Sequence, residues 1–282
     1  MSSFQNKNPY SSAETEVGKF TRTEELFKKV KVGYSKTKLY DGSGKLGPAD
    51  YFDYDFQSSH FATKLLGVFF RRAVHLGWKT RFEGVENIPN DKNIILMPNH
   101  ISHLDGPLAI IGATKRLEKS IDVIGDEKLF KNRFMRKFLS LFNAFPMKKG
   151  SKDIKIVDYA IKRSSKNSLL WFPEGQRHKN PSSNMCNPGK LGSGKIAHSA
   201  KSAIIPVFIC GAEFAMPVGR KLTYGKGLNS IKILVKYGKP VYLDDLRALP
   251  PSKETSRLVV DRIMNHIEAL RPKGPYRNQN NR

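Results

Sequence analysis

A histidine and an aspartate lie five positions apart near the middle of the chain, at His100 and Asp105. Residues 93–99 are predicted to form a buried strand ending in a polar turn, and residues 106–113 a helix. In an open α/β sheet, the crevice beyond the carboxyl end of such a strand is the usual position of a site. A neutral imidazole held by a carboxylate can accept a proton from a hydroxyl group. The spacing therefore indicates a general base, His100, oriented by Asp105.

Two other interpretations of this segment stay open at the level of spacing. A histidine and an aspartate five residues apart occur in many proteins, where they have structural roles. His100, His103 and Asp105 also have the residue types of a metal site. Such a site needs a complete ligand set in a defined geometry, and nothing nearby in the sequence supplies it.

A second polar group, Glu174, Gly175 and Arg177, follows the predicted buried strand at residues 168–172. Gly175 allows a tight backbone turn, and the Arg177 guanidinium offers a planar set of donors suited to phosphate. Glu174 is expected to orient that arginine or to accept a hydrogen bond from a substrate hydroxyl. The alternative is an ordinary surface turn with an ion pair. That alternative loses weight because two charged strand ends occur in one predicted sheet.

Two further strands contribute to the same expected crevice. Lys148 and Lys149 follow the predicted strand at residues 143–147 and add two cations. Pro206 lies inside the predicted apolar strand at residues 203–209, where a proline predicts an edge or a bulge facing a pocket. Together, the strand ends predict a crevice with one base and several cations that bind phosphate.

The elements that must position these residues alternate between strands and helices. Further strands are predicted at residues 78–83, 121–125 and 231–239, and helices at residues 129–141, 153–163, 191–201 and 253–271. This alternation predicts an α/β fold with a largely parallel mixed sheet flanked by helices, in one domain over residues 81–271.

The flanking segments are basic. Residues 1–57 are predicted to be a partly disordered arm, and residues 272–282 a disordered tail. Residues 58–80 interleave aromatic and aliphatic side chains with Lys and Arg, which predicts an amphipathic helix that associates with a membrane surface. The same pattern also suits a helix that packs on the core and keeps its cations in water.

The overall charge indicates an anionic partner. The chain has 49 Lys and Arg residues against 25 Asp and Glu residues, a formal net charge of +24. This charge suits nucleic acid, a phosphorylated metabolite or an anionic membrane surface, and it does not choose among them. The two cysteines provide no disulfide framework, and the sequence shows neither a signal peptide nor an apolar run of about 18 residues. A reducing cytoplasmic environment without a transmembrane helix is expected.

In order and spacing, these segments resemble the glycerolipid acyltransferase family, which includes bacterial 1-acylglycerol-3-phosphate acyltransferases. The blocks that carry the resemblance are Asn-His-x4-Asp at Asn99, His100 and Asp105; Phe-Pro-Glu-Gly-x-Arg at residues 172–177; Lys-x-Gly at Lys190 and Gly192; and Ile-Pro-Val at residues 205–207. The resemblance covers roughly residues 81–239, and the Asn-His-x4-Asp and Phe-Pro-Glu-Gly-x-Arg blocks carry most of its specificity.

Another block of the family, which lies between the Asn-His-x4-Asp and Phe-Pro-Glu-Gly-x-Arg blocks, is not fully matched by this chain. The family has an arginine where this chain has Lys149, with Lys148 just before it. A lysine keeps the positive charge but loses the bidentate geometry of a guanidinium. The expected phosphate contact at this strand end therefore rests on charge alone.

The resemblance implies transfer of a fatty acyl group from acyl-CoA or acyl carrier protein to the sn-2 hydroxyl of 1-acylglycerol 3-phosphate. His100 would remove the hydroxyl proton, and Asp105 would hold the imidazole. No protein nucleophile and no cofactor is implied, and the enzyme would be peripheral on the cytoplasmic face of the cell membrane. His103 is at a variable position of the family and is predicted to be a neighbour of the site. The implied substrate-binding residues are Lys148, Lys149, Glu174, Gly175, Arg177, Gly192 and Pro206.

Three alternatives accompany this prediction. The first is an acyltransferase for another acceptor, such as glycerol 3-phosphate, another lysophospholipid or a glycolipid. The second is a nucleic-acid-binding protein, suggested by charge alone, although the basic residues are spread along the chain without a recognition motif. The third is an inactive lipid-surface binder, which the presence of both His100 and Asp105 disfavours. No nucleic-acid partner is therefore expected.

Overall fold

The computed structural model describes residues 74–114, 116–117, 121–126, 144–147, 154–178, 186–216 and 231–273, with isolated positions 72, 130 and 139. Several predicted features lie outside these residues. They are the arm at residues 1–57, most of the helical segment at 58–80, most of the helix at 129–141, Lys148, Lys149, the loop at 179–185 and the tail from residue 274.

Bounds are given for seven strands and six α-helices in the described ranges, and residues 74–77 are helical as well. The strands are β1 (Lys79–Glu83), β2 (Ile94–Pro98), β3 (Ile121–Asp126), β4 (Ala144–Met147), β5 (Ser168–Leu170), β6 (Ala203–Cys210) and β7 (Lys232–Tyr237). The helices are α1 (Asp105–Ala113), α2 (Ile154–Lys166), α3 (Leu191–Ser199), α4 (Ala212–Ala215), α5 (Asp244–Arg247) and α6 (Lys253–Ala269), with a 3₁₀ turn at Val85–Asn87.

The strands form one sheet in the order β1-β7-β6-β2-β5-β3-β4. Among these strands, every neighbouring pair is parallel except β6 and β7, which are antiparallel. The largely parallel mixed sheet predicted from the sequence is confirmed. Strand β2 is central and every one of its residues is buried, as expected for a parallel strand covered on both faces.

Helices cover both faces of the sheet, and the alternation along β6 separates the two layers. Ile205, Val207 and Ile209 belong to the core that contains α1. Their neighbours Ile204, Phe208 and Cys210 belong to the core that contains residues of α2, α3 and α6. Because successive side chains of a strand point to opposite faces, α1 lies on one face of the sheet and the other three helices on the opposite face.

The position of α1 depends on close contact with β7. The buried Tyr237 hydroxyl donates a hydrogen bond of 2.7 Å to the Ala109 carbonyl oxygen. A Cβ atom at Gly112 would lie 2.2 Å from that hydroxyl oxygen and 2.5 Å from the Phe82 ring. Glycine at position 112 therefore lets the C-terminal part of α1 approach the sheet closely.

Two predictions about the elements need correction. Strand β1 begins at Lys79, so residues 79–80 belong to the strand and not to the helical segment at 58–80. Pro206 was expected on an edge or at a bulge, and the edge is wrong because β6 lies between β7 and β2. The antiparallel register of β6 shifts by one residue between its pair Val207–Tyr237 and its bridge Ile204–Val241. This shift is a β-bulge beside Pro206. The described residues contain no helix that is both long and apolar enough to cross a membrane.

Candidate active site

The candidate site lies where the chain leaves two adjacent parallel strands toward opposite faces of the sheet. Strand β2 is followed by α1 on one face, and its neighbour β5 is followed by α3 on the other. A crevice opens at the carboxyl ends of such a strand pair. His100 follows β2, and Glu174 and Arg177 follow β5, so this arrangement brings the two predicted polar groups together.

Asn99 fixes the chain just before His100. Its side chain is buried and pairs with the backbone of β6: Nδ2 donates to the Ile209 carbonyl oxygen at 2.9 Å, and Oδ1 accepts from the Ile209 amide at 2.7 Å. The Asn99 amide also donates to the Val207 carbonyl oxygen at 3.2 Å. These hydrogen bonds extend the pairing of β2 with β6 by one residue. They also fix the direction in which the chain leaves the sheet at His100.

His100 and Asp105 form the predicted pair, with His100 Nδ1 2.9 Å from Asp105 Oδ2. Asp105 is the first residue of α1 and is fully buried. The same oxygen accepts hydrogen bonds from the amides of Ile101 at 2.6 Å and Ser102 at 2.7 Å. An ionised carboxylate only accepts, so we assign the imidazole proton to Nδ1, which leaves the Nε2 lone pair for proton transfer. The positive end of α1 also favours the negative charge of Asp105.

The Phe172 ring holds the His100 imidazole from one side. The two ring centroids are 3.8 Å apart and the planes differ by 21°, which is a stacked arrangement. The His178 amide also donates to the His100 carbonyl oxygen at 2.7 Å. The segment after β5 therefore restrains both the ring and the backbone of the histidine.

Glu174 is 1% exposed, and both of its carboxylate oxygens have partners within the protein. Oε1 accepts from the His100 amide at 2.8 Å. Oε2 accepts from the Asn187 amide at 3.0 Å and from Asn187 Nδ2 at 2.7 Å. Burial raises the pKa of Glu174, and these hydrogen bonds oppose that change. The substrate contact predicted for Glu174 stays a prediction, since its carboxylate in this structure fastens the His100 backbone.

Asn187 was missed by sequence reasoning, because its segment has no regular pattern and lies 13 residues beyond Glu174. The same short segment is attached to the end of α6, where Glu268 accepts a hydrogen bond from the Cys186 amide. Burial, followed by the nearby Glu268 carboxylate, raises the pKa of the Cys186 thiol, which is a poor nucleophile in consequence.

The glycines and the proline of the predicted set lie around this centre. Gly175 has a φ of 66°, a left-handed conformation that glycine adopts without strain, which agrees with the predicted tight turn. Gly192 lies in the first turn of α3 and faces the Val157 side chain of α2. The Pro206 ring is buried next to Gly238 and Leu270. The roles of all three in substrate binding stay predictions.

Arg177 faces the segment between β2 and α1. Its Nη1 lies 3.1 Å from His103 Nδ1, and its Nε is buried without a hydrogen-bond partner. Burial lowers the pKa of His103, and the charges of Arg177 and His100 lower it further. No group of three or more His, Cys, Asp or Glu side chains in the described part of the chain is arranged to hold a metal ion.

Comparisons with known proteins find acyltransferases similar to this chain. The acyltransferase family model matches residues 79–210. The chain is similar to the 1-acyl-sn-glycerol-3-phosphate acyltransferase of Streptococcus pneumoniae, with 26% identity over 213 residues, 74% of this chain and 73% of the relative. It is 25% identical to the enzyme of the same name from Bacillus subtilis over 189 residues, 67% of this chain and 86% of the relative.

A solved structure has the same fold. The crystal structure of the 1-acyl-sn-glycerophosphate acyltransferase PlsC from Thermotoga maritima superposes with a TM-score of 0.58 at 25% identity. The match covers 75% of this chain and 80% of that structure.

Proposed function

We propose that this chain transfers a fatty acyl group to the sn-2 hydroxyl of 1-acylglycerol 3-phosphate, giving phosphatidic acid. The proposal is supported by the match of the acyltransferase family model to residues 79–210 and by the two similar 1-acyl-sn-glycerol-3-phosphate acyltransferases. The proposed acyl donor is a thioester of coenzyme A or of acyl carrier protein. The observation that carries the proposal is the His100–Asp105 pair, with His100 Nδ1 2.9 Å from Asp105 Oδ2. The pair lies at the carboxyl ends of β2 and β5, where Arg177 also lies. A base beside a phosphate-binding cation suits a phosphorylated alcohol.

In the proposed reaction, His100 Nε2 takes the proton of the acceptor hydroxyl as the hydroxyl oxygen attacks the thioester carbonyl carbon. The resulting tetrahedral oxyanion collapses, the carbon–sulfur bond breaks, and the leaving thiolate receives the proton from His100. Asp105 keeps the imidazole in the correct tautomer and stabilises the imidazolium that forms. A positioned general base of this kind contributes about 10²- to 10⁴-fold to the rate.

The proposed acceptor site consists of the cations that follow β5 and β4. Arg177 would bind the phosphate together with Lys148 and Lys149, which supply charge without bidentate geometry. Gly175, Gly192 and Pro206 would shape the walls of the site, and Glu174 would act by holding the backbone of His100. Holding the acceptor in this way contributes several kcal/mol to lowering the barrier, on the order of what well-oriented reactants gain.

The proposed site of action is an anionic membrane surface on the cytoplasmic side, reached without a spanning helix. The net charge of +24 supports attraction to anionic lipids. The predicted amphipathic segment at residues 58–80 would supply the apolar contact. Both substrates carry acyl chains, so a protein at the lipid surface meets its acceptor there.

The experiment uses purified full-length protein, vesicles containing anionic lipid, labelled acyl-CoA or acyl carrier protein, and 1-acylglycerol 3-phosphate. We expect labelled phosphatidic acid from the wild type and a loss of at least about 10²-fold in His100→Ala. Equal product from both proteins would refute the catalytic assignment. Glycerol 3-phosphate and other lysophospholipids, given as parallel acceptors, identify a different acceptor if one is preferred.

The membrane proposal has a separate test. Pelleting of the protein with anionic vesicles should decrease as the salt concentration increases, because the Debye length shortens. Binding to uncharged vesicles should be weaker at every salt concentration. Pelleting that is independent of both salt and lipid charge would show that electrostatic attraction does not hold the protein at the membrane.

A further inference from the structure

His103 and Arg177 meet across the crevice although they come from different strand ends. His103 lies in the turn between β2 and α1, and Arg177 lies after β5, 74 positions later. The turn that carries His103 is well fastened: Ser102 Oγ donates to the Met216 carbonyl oxygen at 2.8 Å and accepts from the Leu104 amide at 3.2 Å. Both side chains of the pair are half-buried. The contact is therefore a defined feature of the crevice.

The chemistry of the two groups fixes the direction of the hydrogen bond. A guanidinium has only donors, so Arg177 Nη1 donates and His103 Nδ1 accepts. His103 must then be neutral, with its own proton on Nε2. The lowered pKa of His103, caused by burial and then by the charges of Arg177 and His100, agrees with this form, whereas Asp105 opposes it.

A histidine partner has a different effect on Arg177 from that of a carboxylate. No salt bridge between Arg177 and a carboxylate is found among the residues that the structure describes. A carboxylate would cancel the positive charge and occupy two donors. A neutral imidazole occupies one donor and leaves the charge intact, so the remaining donors keep their capacity for an anion.

We propose that His103 is a positioning residue, which orients the Arg177 guanidinium toward the phosphate of the acceptor without neutralising it. This inference rests on the proposed function for the identity of the acceptor. It gives His103 a role in binding the acceptor, in addition to its place as a neighbour of the catalytic pair.

Two substitutions at position 103 separate this role from simple packing. His103→Phe keeps a flat ring of similar size but has no acceptor, whereas His103→Asn places an oxygen near the position of Nδ1. We expect His103→Phe to raise the KM for 1-acylglycerol 3-phosphate about tenfold, the lower end of the effect of losing one hydrogen bond to a charged group. The KM for acyl-CoA should change much less, and His103→Asn should recover most of the loss.

A double variant tests whether the effect passes through Arg177. In an Arg177→Gln background, His103→Phe should raise the KM for the acceptor by less than twofold, because its partner is already absent. A KM unchanged in His103→Phe alone would overturn the proposal. So would equal losses in His103→Phe and His103→Asn, or a full additional loss in the double variant.

The contact can also be measured without any acceptor. In protein with ¹⁵N-labelled histidine, the His103 signal, identified by its absence from His103→Asn, should show a neutral ring protonated at Nε2. Arg177→Gln should raise the pKa of His103, because a neighbouring positive charge is removed. A ring protonated at Nδ1, or a pKa unchanged in Arg177→Gln, would contradict the inference. If the wild type makes no phosphatidic acid, the proposed function fails, and this spectrum still decides whether the pair exists.

Discussion

Two fully buried aspartates lie at opposite ends of the sheet. One is paired with a histidine and the other with an arginine. Asp105 follows the carboxyl end of β2 and binds His100, at 2.9 Å, and two backbone amides. Asp122 lies at the amino end of β3. Its carboxylate accepts a hydrogen bond from Arg163 Nε at 2.7 Å and one from Asn167 Nδ2 at 3.1 Å, and Arg163 Nη2 lies 2.7 Å away as an ion-pair contact. Both aspartates have no exposed surface.

The difference between the partners distinguishes the proposed catalytic pair from the Asp122–Arg163 ion pair. Arg163 keeps its charge at all ordinary pH values, and its side chain is 6% exposed, so its ion pair with Asp122 is closed to substrate. The imidazole of His100 uses one nitrogen for Asp105 and keeps the other for a proton. Asp122 therefore has a structural partner, whereas the partner of Asp105 is the base of the proposed reaction.

The largest effect on activity is expected from Asp105→Asn. The asparagine oxygen can take the place of Oδ2 and accept from His100 Nδ1 and from the amides of Ile101 and Ser102. The substitution therefore keeps the tautomer but removes the negative charge that would stabilise the imidazolium. We expect kcat to fall about 10²-fold, within the contribution of a positioned general base, because the imidazolium loses its carboxylate. Steady-state synthesis of phosphatidic acid measures this loss, and circular dichroism checks the fold. A kcat within tenfold of the wild type would remove Asp105 from the mechanism.

The corresponding change at the other end, Asp122→Ala, should affect stability instead. It leaves the Arg163 guanidinium buried without its carboxylate, and the free energy of unfolding should fall by about 3–5 kcal/mol. Denaturant titration measures the fall. The kcat per folded molecule should stay close to the wild-type value, because Asp122 lies at the edge of the sheet opposite the catalytic pair. A large loss of kcat in folded protein would break the comparison.

A double variant shows whether the ion pair itself is needed. Replacing both partners, Asp122→Leu with Arg163→Met, should recover most of the stability lost in Asp122→Ala, because no buried charge is left unpaired. Asp105 and His100 allow no such exchange, since the reaction needs the imidazole. If the double variant were as unstable as the single one, Asp122 would contribute more than charge compensation.

The contrast between local and distant contacts also explains what the sequence could predict. His100 and Asp105 lie on one turn of chain, so their pairing was visible as a spacing. The alternation of strands and helices was enough to predict a parallel sheet. The antiparallel direction of β7 and the interior position of Pro206 were not predictable, because both depend on strand order. The contacts Asp122–Arg163 and His103–Arg177 join positions 41 and 74 apart, and no local pattern marks them.

A smaller effect is expected from the two asparagines that support the acidic groups. Asn187→Leu removes one donor from Glu174 Oε2, while the backbone amide at position 187 still donates. We expect kcat to fall about tenfold, because Glu174 then holds the His100 backbone less firmly, with little change in either KM.

The matched control is Asn167→Leu, which removes a donor from Asp122. It should lower the free energy of unfolding by about 1–3 kcal/mol without lowering kcat. Equal kcat losses in both variants would show that position relative to the site does not decide the effect.

The smallest effect concerns the pH dependence of stability. The pKa of His103 in the folded chain lies below its ordinary value of 6.5, so the unfolded chain binds a proton that the folded chain resists. This contribution to stability is complete above about pH 6.5 and is lost as the pH falls through the folded-state pKa.

Relative to His103→Asn, the wild type should therefore lose about 1 °C of Tm between about pH 7.5 and 5.5. The change is small because the half-exposed ring is screened by solvent. Parallel Tm profiles of the wild type and His103→Asn would show that burial and the Arg177 charge do not lower the pKa of His103 in the folded chain.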